Sequence, residues 1–148
     1  MEHRSVTVAA DVMGQAITEA LAQGGSFLLT VTGNSMRPTL VPGRDQVCLC
    51  APVSLKKGDI IFFRRPTGEY ILHRIIRLCP EEITVNGDSQ TWTERVLPGQ
   101  VIGVVSRVLR NGKWVDTQSA AARAYSLLWP KTRSLRPGLI RLKQKLRK

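Results

Sequence analysis

Ser35 and His73 are the residues whose types suggest chemistry, and they lie 38 positions apart in the chain. A serine hydroxyl is a poor nucleophile near neutral pH unless a neighbouring base removes its proton, and an imidazole titrates in the range where it can act as that base. Only one other histidine occurs, His3, to which we assign no role because it lies close to a chain terminus. The Ser35 and His73 pair predicts a hydrolase that works by nucleophilic attack.

The residues around Ser35 favour a turn that follows an apolar strand. Gly33 and Asn34 permit a tight turn, and Pro38 is tolerated in the first turn of a short helix, so backbone N–H groups near Ser35 are expected to face an oxyanion. Met36 is expected to be a buried anchor. An ordinary strand-to-helix turn with Ser35 as the helix cap explains the glycine and the proline equally well, so this segment alone leaves both interpretations open.

Three further segments follow this turn in a recognisable order. They are KKGDIIFF at 56–63, EYILHRII at 69–76, and NGDS at 86–89, which is followed by GQVIGVV at 99–105. Together with GNSMRPTL at 33–40, they resemble the type I signal peptidases and the related self-cleaving repressor proteases. The resemblance covers about half of the chain, residues 33–105. The Ser-Met-x-Pro-Thr-Leu motif is quite specific, Gly-Asp-Ile-Ile is weak alone, and the ordered set is strong.

The resemblance implies a relay between a serine and a histidine. After Tyr-Ile-x the bacterial enzymes usually carry a lysine base, whereas the endoplasmic-reticulum and archaeal type carries a histidine, and this position is His73 here. The resemblance therefore implies Ser35 as nucleophile, His73 as general base and Asp88 as the carboxylate that orients the imidazole. Glu94 falls where histidine-type enzymes often have a second acidic residue. The alternatives are a structural His73 and an Asp88 that only closes a β-turn.

Two features depart from that family. Gly33 stands where many signal peptidases have a serine or threonine whose hydroxyl helps to hold the oxyanion. The Ser35 N–H is therefore expected to carry more of that work, with Asn34 or Thr32 as nearby groups that help to position the oxyanion and the substrate. Losing one such donor typically costs about 10²–10³ in turnover. Exported members also carry an N-terminal transmembrane helix, but the longest apolar run near the start, residues 27–31, is far shorter than the roughly 20 residues that span a bilayer. We therefore expect a cytoplasmic location. Peripheral attachment to the cytoplasmic membrane is compatible with this expectation.

Short strands separated by turn signals predict a mainly β fold. The predicted strands lie at 26–32, 46–50, 59–65, 70–78, 83–86 and 101–109, and Asn111-Gly112 is a strong hairpin signal. This spacing, like the resemblance, predicts a coiled antiparallel sheet or partly open barrel over residues 26–116, with Ser35 and His73 at one rim. A short amphipathic helix is expected within residues 1–25, and a basic helical tail within residues 117–148.

The chain carries a formal net charge of +11, and much of it resides in the C-terminal third. Leu139, Leu142 and Leu146 share one helical face among cations, which favours contact with an anionic membrane surface, and a solvated tail is the alternative. The basic residues are not interleaved with aromatics, which disfavours nucleic acid as a partner. Three cysteines without a ligand pattern predict neither a metal site nor another cofactor.

The sequence therefore predicts a serine endopeptidase of signal-peptidase type that acts on a precursor or leader peptide or on a preprotein. A non-catalytic peptide-binding relative is the first alternative, and a nucleic-acid-binding module is the second. Since no catalytic candidate lies in the tail, cleavage is expected to survive the removal of residues 135–148.

Overall fold

The computed structural model describes residues 2–146, and it describes the side chains of residues 11–138, 141, 145 and 146. The helices and strands are α1 (Glu2–Ala22), β1 (Phe27–Thr30), β2 (Asp45–Cys50), β3 (Ile60–Arg64), β4 (Tyr70–Leu78), β5 (Ile83–Asn86), β6 (Glu94–Val96), β7 (Val101–Arg110), β8 (Lys113–Asp116), α2 (Ala120–Leu128) and α3 (Arg136–Leu146). Two 3₁₀ helices, Pro98–Gln100 and Trp129–Leu135, precede β7 and α3.

One antiparallel sheet of eight strands forms the body of the protein. Neighbouring strands follow the order β1-β2-β7-β3-β4-β5-β6, and β8 pairs with β7. The register shifts where β7 meets β2 and β3 and where β4 meets β5. Such bulges bend and twist strands, so they curve this sheet. Because β1 and β6 end the order without pairing with each other, the sheet stays open, and the predicted mainly β fold is confirmed.

β3 lies at the centre of the sheet, and its successive side chains enter two separate apolar clusters. Phe62 belongs to the cluster that α1 covers with Ile17 and Leu21. Phe63 belongs to the cluster between β3, β4, β5 and β6. Side chains of a strand alternate between its two faces, so a continuous apolar run such as this one indicates burial on both sides. β4, which pairs with β3 along residues 70–74, is therefore supported by a strand that is packed on both faces.

The N-terminal helix is longer than the short helix predicted from the sequence, but it ends where predicted. Gly24 has a φ of +80°, a conformation that favours glycine at a helix C-terminus. The buried face of α1 includes Gly14, Ile17 and Leu21, the spacing of one helical stripe. Val12 is 61% exposed, so it does not belong to that face.

Strand β6 was not predicted, because three residues give too short a pattern to distinguish a strand from a loop. It exists through its pairing with β5, in which Val96 lies opposite Ile83. The predicted helix after the sheet is α2, and its cap is Ser119, whose side chain accepts a hydrogen bond from Ala122 N. Among residues 2–146, no helix has both the length and the apolar character needed to cross a membrane.

Candidate active site

The turn that carries Ser35 follows β1 directly. Gly33 has a φ of +75°, which favours glycine and turns the chain away from the strand. Met36 and Leu40 are buried in the first core cluster, so they anchor the turn as predicted for Met36. Ser35 itself is half-buried, and neither its hydroxyl nor its backbone N–H has a hydrogen-bond partner within the described residues. The turn therefore leaves a hydroxyl and an N–H available side by side.

A second loop, residues 86–90, lies against this turn. Ser89 N donates a hydrogen bond of 2.9 Å to Ser35 O, and Ser89 Oγ donates one of 2.9 Å to Asn34 O. A Cβ atom at Gly87 would lie 2.7 Å from Ser35 O, so this close approach requires glycine. Asp88 N also lies 3.5 Å from the Met36 sulfur. Contacts to backbone atoms thus hold the two loops together.

Asp88 is fully buried and is bound by an arginine rather than by the histidine. Arg74 Nε lies 2.9 Å from Asp88 Oδ1, and Arg74 Nη2 lies 2.7 Å from Asp88 Oδ2, a bidentate geometry. Thr39 Oγ1 donates to the same carboxylate, and Trp129 Nε1 donates to Asp88 O at 2.9 Å. No hydrogen bond links Asp88 to His73 within the described residues. The ion pair between Arg74 and Asp88 instead joins β4 to the loop that holds the Ser35 turn.

His73 lies on β4 with only 2% of its side chain exposed. Its ring packs edge-on against Phe63, with 6.0 Å between the ring centroids. Burial lowers the pKa of His73 from 6.5 to about 4, against the opposing effect of the Glu94 carboxylate. The imidazole is therefore neutral at neutral pH, the form that can accept a proton.

Glu94 is the carboxylate closest to the imidazole. Its Oε1 lies 4.0 Å from His73 Nδ1, and this nitrogen has no hydrogen-bond partner within the described residues. Arg65 holds Glu94 with two hydrogen bonds of 2.8 and 2.7 Å. A guanidinium that occupies both carboxylate oxygens competes with the imidazole for Glu94.

The structure connects Ser35 and His73 indirectly. Ser89 binds the Ser35 turn, and Arg74, which follows His73 in the chain, binds Asp88, which precedes Ser89. Within the described residues, no hydrogen bond joins Ser35 Oγ to His73. Catalytic hydrogen bonds are often long in unliganded enzymes and tighten when a substrate is bound.

A cleft of about 710 Å³ lies beside Ser35. Its walls come from the end of β1 and the following turn, from the start of β4, and from one face of α1. Leu29, Ile71, Leu72, Met13 and Ile17 give these walls an apolar character. The cleft can therefore take an extended chain with apolar side chains next to the serine hydroxyl.

Within the part of the chain that the structure describes, two strand edges along this cleft have no partner strand. There, β1 is the end strand of the sheet and pairs only with β2. Residues 70–73 of β4 pair with β3, but β5 begins to pair with β4 only at Arg74. An unpaired strand edge offers backbone N–H and C=O groups to an added strand.

Sequence reasoning did not identify several residues that hold this site together. Arg74 and Arg65 bind the two candidate carboxylates, and Trp129 and Arg136 contact the 86–90 loop from the C-terminal segment. A signal existed for Arg74, because a charged residue within an apolar strand requires a buried partner. Nothing in the pattern around Arg136 marks it as buried. Its contacts argue against the prediction that residues 135–148 are dispensable for the site.

Comparison with known proteins gives one family. The family described as Peptidase S24-like matches residues 3–109, which include Ser35, His73, Asp88 and Glu94. The match covers well over half of the 148 residues. A search of curated proteins found no significant match. With its open antiparallel sheet and its matched region of 3–109, the chain belongs to the Peptidase S24-like family.

Proposed function

We propose that this chain is a serine endopeptidase of signal-peptidase type that cleaves a precursor or leader peptide, with Ser35 as nucleophile and His73 as general base. The observation that carries the proposal is the apolar cleft beside Ser35, which is bordered by two unpaired strand edges. A peptide that adds a strand to such an edge is bound through its backbone, so little side-chain recognition is needed. The family match supports the peptidase class.

The proposed reaction begins with transfer of the Ser35 proton to neutral His73. Ser35 Oγ attacks the carbonyl carbon of the scissile bond, and the Ser35 N–H donates to the oxyanion that forms. His73 then donates its proton to the leaving amine, and a water molecule hydrolyses the acyl-enzyme by the same proton relay. Burial keeps His73 unprotonated between turnovers, and the Glu94 charge stabilises the transient imidazolium.

We propose Glu94, rather than Asp88, as the residue that orients the imidazole. Glu94 lies 4.0 Å from His73 Nδ1, a distance that a small shift of either side chain converts into a hydrogen bond. Asp88 is already bound by Arg74 and Thr39. In this assignment Asp88 is a positioning residue, because its contacts act on β4 and on the Ser35 turn.

A non-catalytic peptide-binding relative is the second candidate. It is favoured by His73 Nδ1, which accepts or donates no hydrogen bond among the described residues, and by Gly33, which offers no hydroxyl to an oxyanion. In that case the cleft binds an extended peptide without cleaving it. Labelling of the serine hydroxyl separates the two candidates.

The test is reaction of the purified protein with a fluorophosphonate probe, together with cleavage of a peptide library read by mass spectrometry. Ser35→Ala and His73→Ala should each abolish labelling and cleavage, and the double variant should be no worse than either single one, because residues of one relay act as a unit. Ser54→Ala and His3→Ala are matched controls that should keep full activity. Full cleavage by Ser35→Ala would contradict the proposal, and peptide binding without labelling would favour the second candidate.

A further inference from the structure

We infer that Arg136, which lies beyond the region matched by the family, is a positioning residue for Ser35. The inference rests on the proposed function, and it adds that the C-terminal segment after α2 completes the active site. The family match ends at residue 109, so nothing in that match assigns a role to this segment.

Arg136 is fully buried although it stands at the start of the basic tail. Its Nη1 donates to Gly87 O at 2.9 Å and to Gln90 O at 2.7 Å, and it also donates to Asn86 Oδ1. Its Nη2 lies 3.2 Å from Trp129 O. One guanidinium therefore donates hydrogen bonds to oxygens at both ends of the 86–90 loop.

The loop that Arg136 holds is the loop that contacts the nucleophile. Ser89 lies between Gly87 and Gln90 and donates to Ser35 O and Asn34 O. Gly87 itself lies against Ser35 O. Arg136 thus acts on Ser35 through one short loop, with no contact to the serine hydroxyl.

Trp129 fixes the same loop from a second position of the C-terminal segment. Its Nε1 donates to Asp88 O at 2.9 Å, and its ring lies 5.5 Å from the Arg136 guanidinium carbon. Tyr125 stacks on Trp129 with 5.6 Å between ring centroids, and the Tyr125 and Thr39 hydroxyls are 2.9 Å apart. Together, α2 and the C-terminal segment that follows it therefore support both loops of the site.

The chemistry of these contacts requires a guanidinium. Arg136 forms no salt bridge among the described residues, and its hydrogen bonds are to neutral oxygens. Burying a charge without a carboxylate is costly unless several acceptors compensate it. A lysine ammonium has one nitrogen and lacks the planar fork of donors that reaches acceptors in two directions.

The test compares full-length Arg136→Ala, Arg136→Lys and the control Arg133→Ala, which removes a neighbouring cation that is not fully buried. Because a misplacement of about 1 Å can cost about 10²-fold in rate, Arg136→Ala should lower the kcat of peptide cleavage by about 10- to 100-fold with little change in KM. Free guanidinium ion at a concentration that does not denature the protein should restore part of this loss. Arg136→Lys should restore less than the guanidinium ion does, and Arg133→Ala should cleave like the wild type.

Hydrogen exchange of the amides of residues 86–90 provides a readout that does not depend on catalysis. The Ser89 amide should exchange faster in Arg136→Ala than in Arg133→Ala. If Arg136→Ala does not fold, Trp129→Phe, which removes the donor to Asp88 O and keeps a smaller aromatic ring, should show the same faster exchange and a smaller loss of kcat. Wild-type kcat and exchange in folded Arg136→Ala would overturn the inference, as would fluorophosphonate labelling of its folded fraction at the wild-type rate. If the wild type neither labels nor cleaves, the proposed function fails, and exchange alone decides whether Arg136 orders the Ser35 turn.

Discussion

At the scale of residues, burial and the neighbouring charges together determine the pH range in which His73 can act as a base. Its pKa of about 4 reflects burial first, then Glu94, which raises it, and Arg65, which lowers it. The unfolded chain binds this proton near pH 6.5, so the folded state loses stability as the pH falls from about 6.5 towards about 4. In the free enzyme, the acid limb of kcat/KM should lie in the lower part of that window.

Replacing the two charged neighbours should move this acid limb in opposite directions. Arg65→Gln removes a cation that lowers the pKa of His73, so the limb should move to higher pH. Glu94→Gln removes an anion that raises this pKa, so the limb should move to lower pH. The measurement is kcat/KM against pH over the range in which circular dichroism shows a folded protein, with Arg64→Gln as the control on the neighbouring exposed cation. Superimposable profiles for the two variants would contradict this assignment of the neighbours.

At the scale of elements, α1 forms one wall of the cleft and packs there through a glycine. A Cβ atom at Gly14 would lie 2.2 Å from the Tyr70 ring. That ring stacks on Phe62 with 5.7 Å between centroids, so it has little freedom to move away. Asp11 adds a contact of 3.3 Å to Arg64, but this exposed ion pair contributes little. Close packing at Gly14 therefore determines how far α1 approaches β4.

Gly14→Ala should lower the stability of the protein even though alanine favours helix. The exchange gains about 1 kcal/mol of helix propensity, but the forced overlap with Tyr70 costs about 1–3 kcal/mol. Gly138→Ala is the matched control, because Gly138 lies within α3 and no atom of the described residues lies within 4 Å of its added Cβ. This substitution should raise the free energy of unfolding. Urea unfolding gives both changes in the free energy of unfolding. Equal stabilisation by both substitutions would show that α1 does not pack closely on Tyr70.

At the scale of the whole molecule, positive charge and exposed apolar side chains meet in the C-terminal region. Leu128, Leu135 and Leu146 are 60%, 65% and 79% exposed. The side chains of Leu139 and Leu142, which the sequence placed on one face with Leu146, lie outside the described residues. We propose that this region contacts an anionic membrane surface, since each basic residue near such a surface adds about 1 kcal/mol to binding.

Removing residues 139–148 should abolish binding to anionic vesicles and leave peptide cleavage intact. The deletion removes Arg141, Lys143, Lys145, Arg147 and Lys148 but keeps the buried Arg136. Binding of the full chain should weaken as salt is raised, because screening shortens the range of the attraction. Co-sedimentation with phosphatidylserine vesicles measures this, and vesicles of phosphatidylcholine alone are the control. Equal sedimentation of both proteins would refute the membrane contact, and lost cleavage would show that α3 supports the site beyond Arg136.

The sequence by itself determined the strand pattern, the turn at Ser35 and the position of His73 on β4, because local periodicity and turn residues depend on near neighbours in the chain. It named Glu94 only as a second acidic candidate, and it did not reveal β6, the pairing of Asp88 with Arg74, or the burial of Arg136. Each of these depends on contacts between residues that are far apart in sequence. The fold determines which cation binds a given carboxylate. It also determines where carbonyl oxygens converge and a basic residue can be buried. Only the tertiary structure therefore decides these two outcomes.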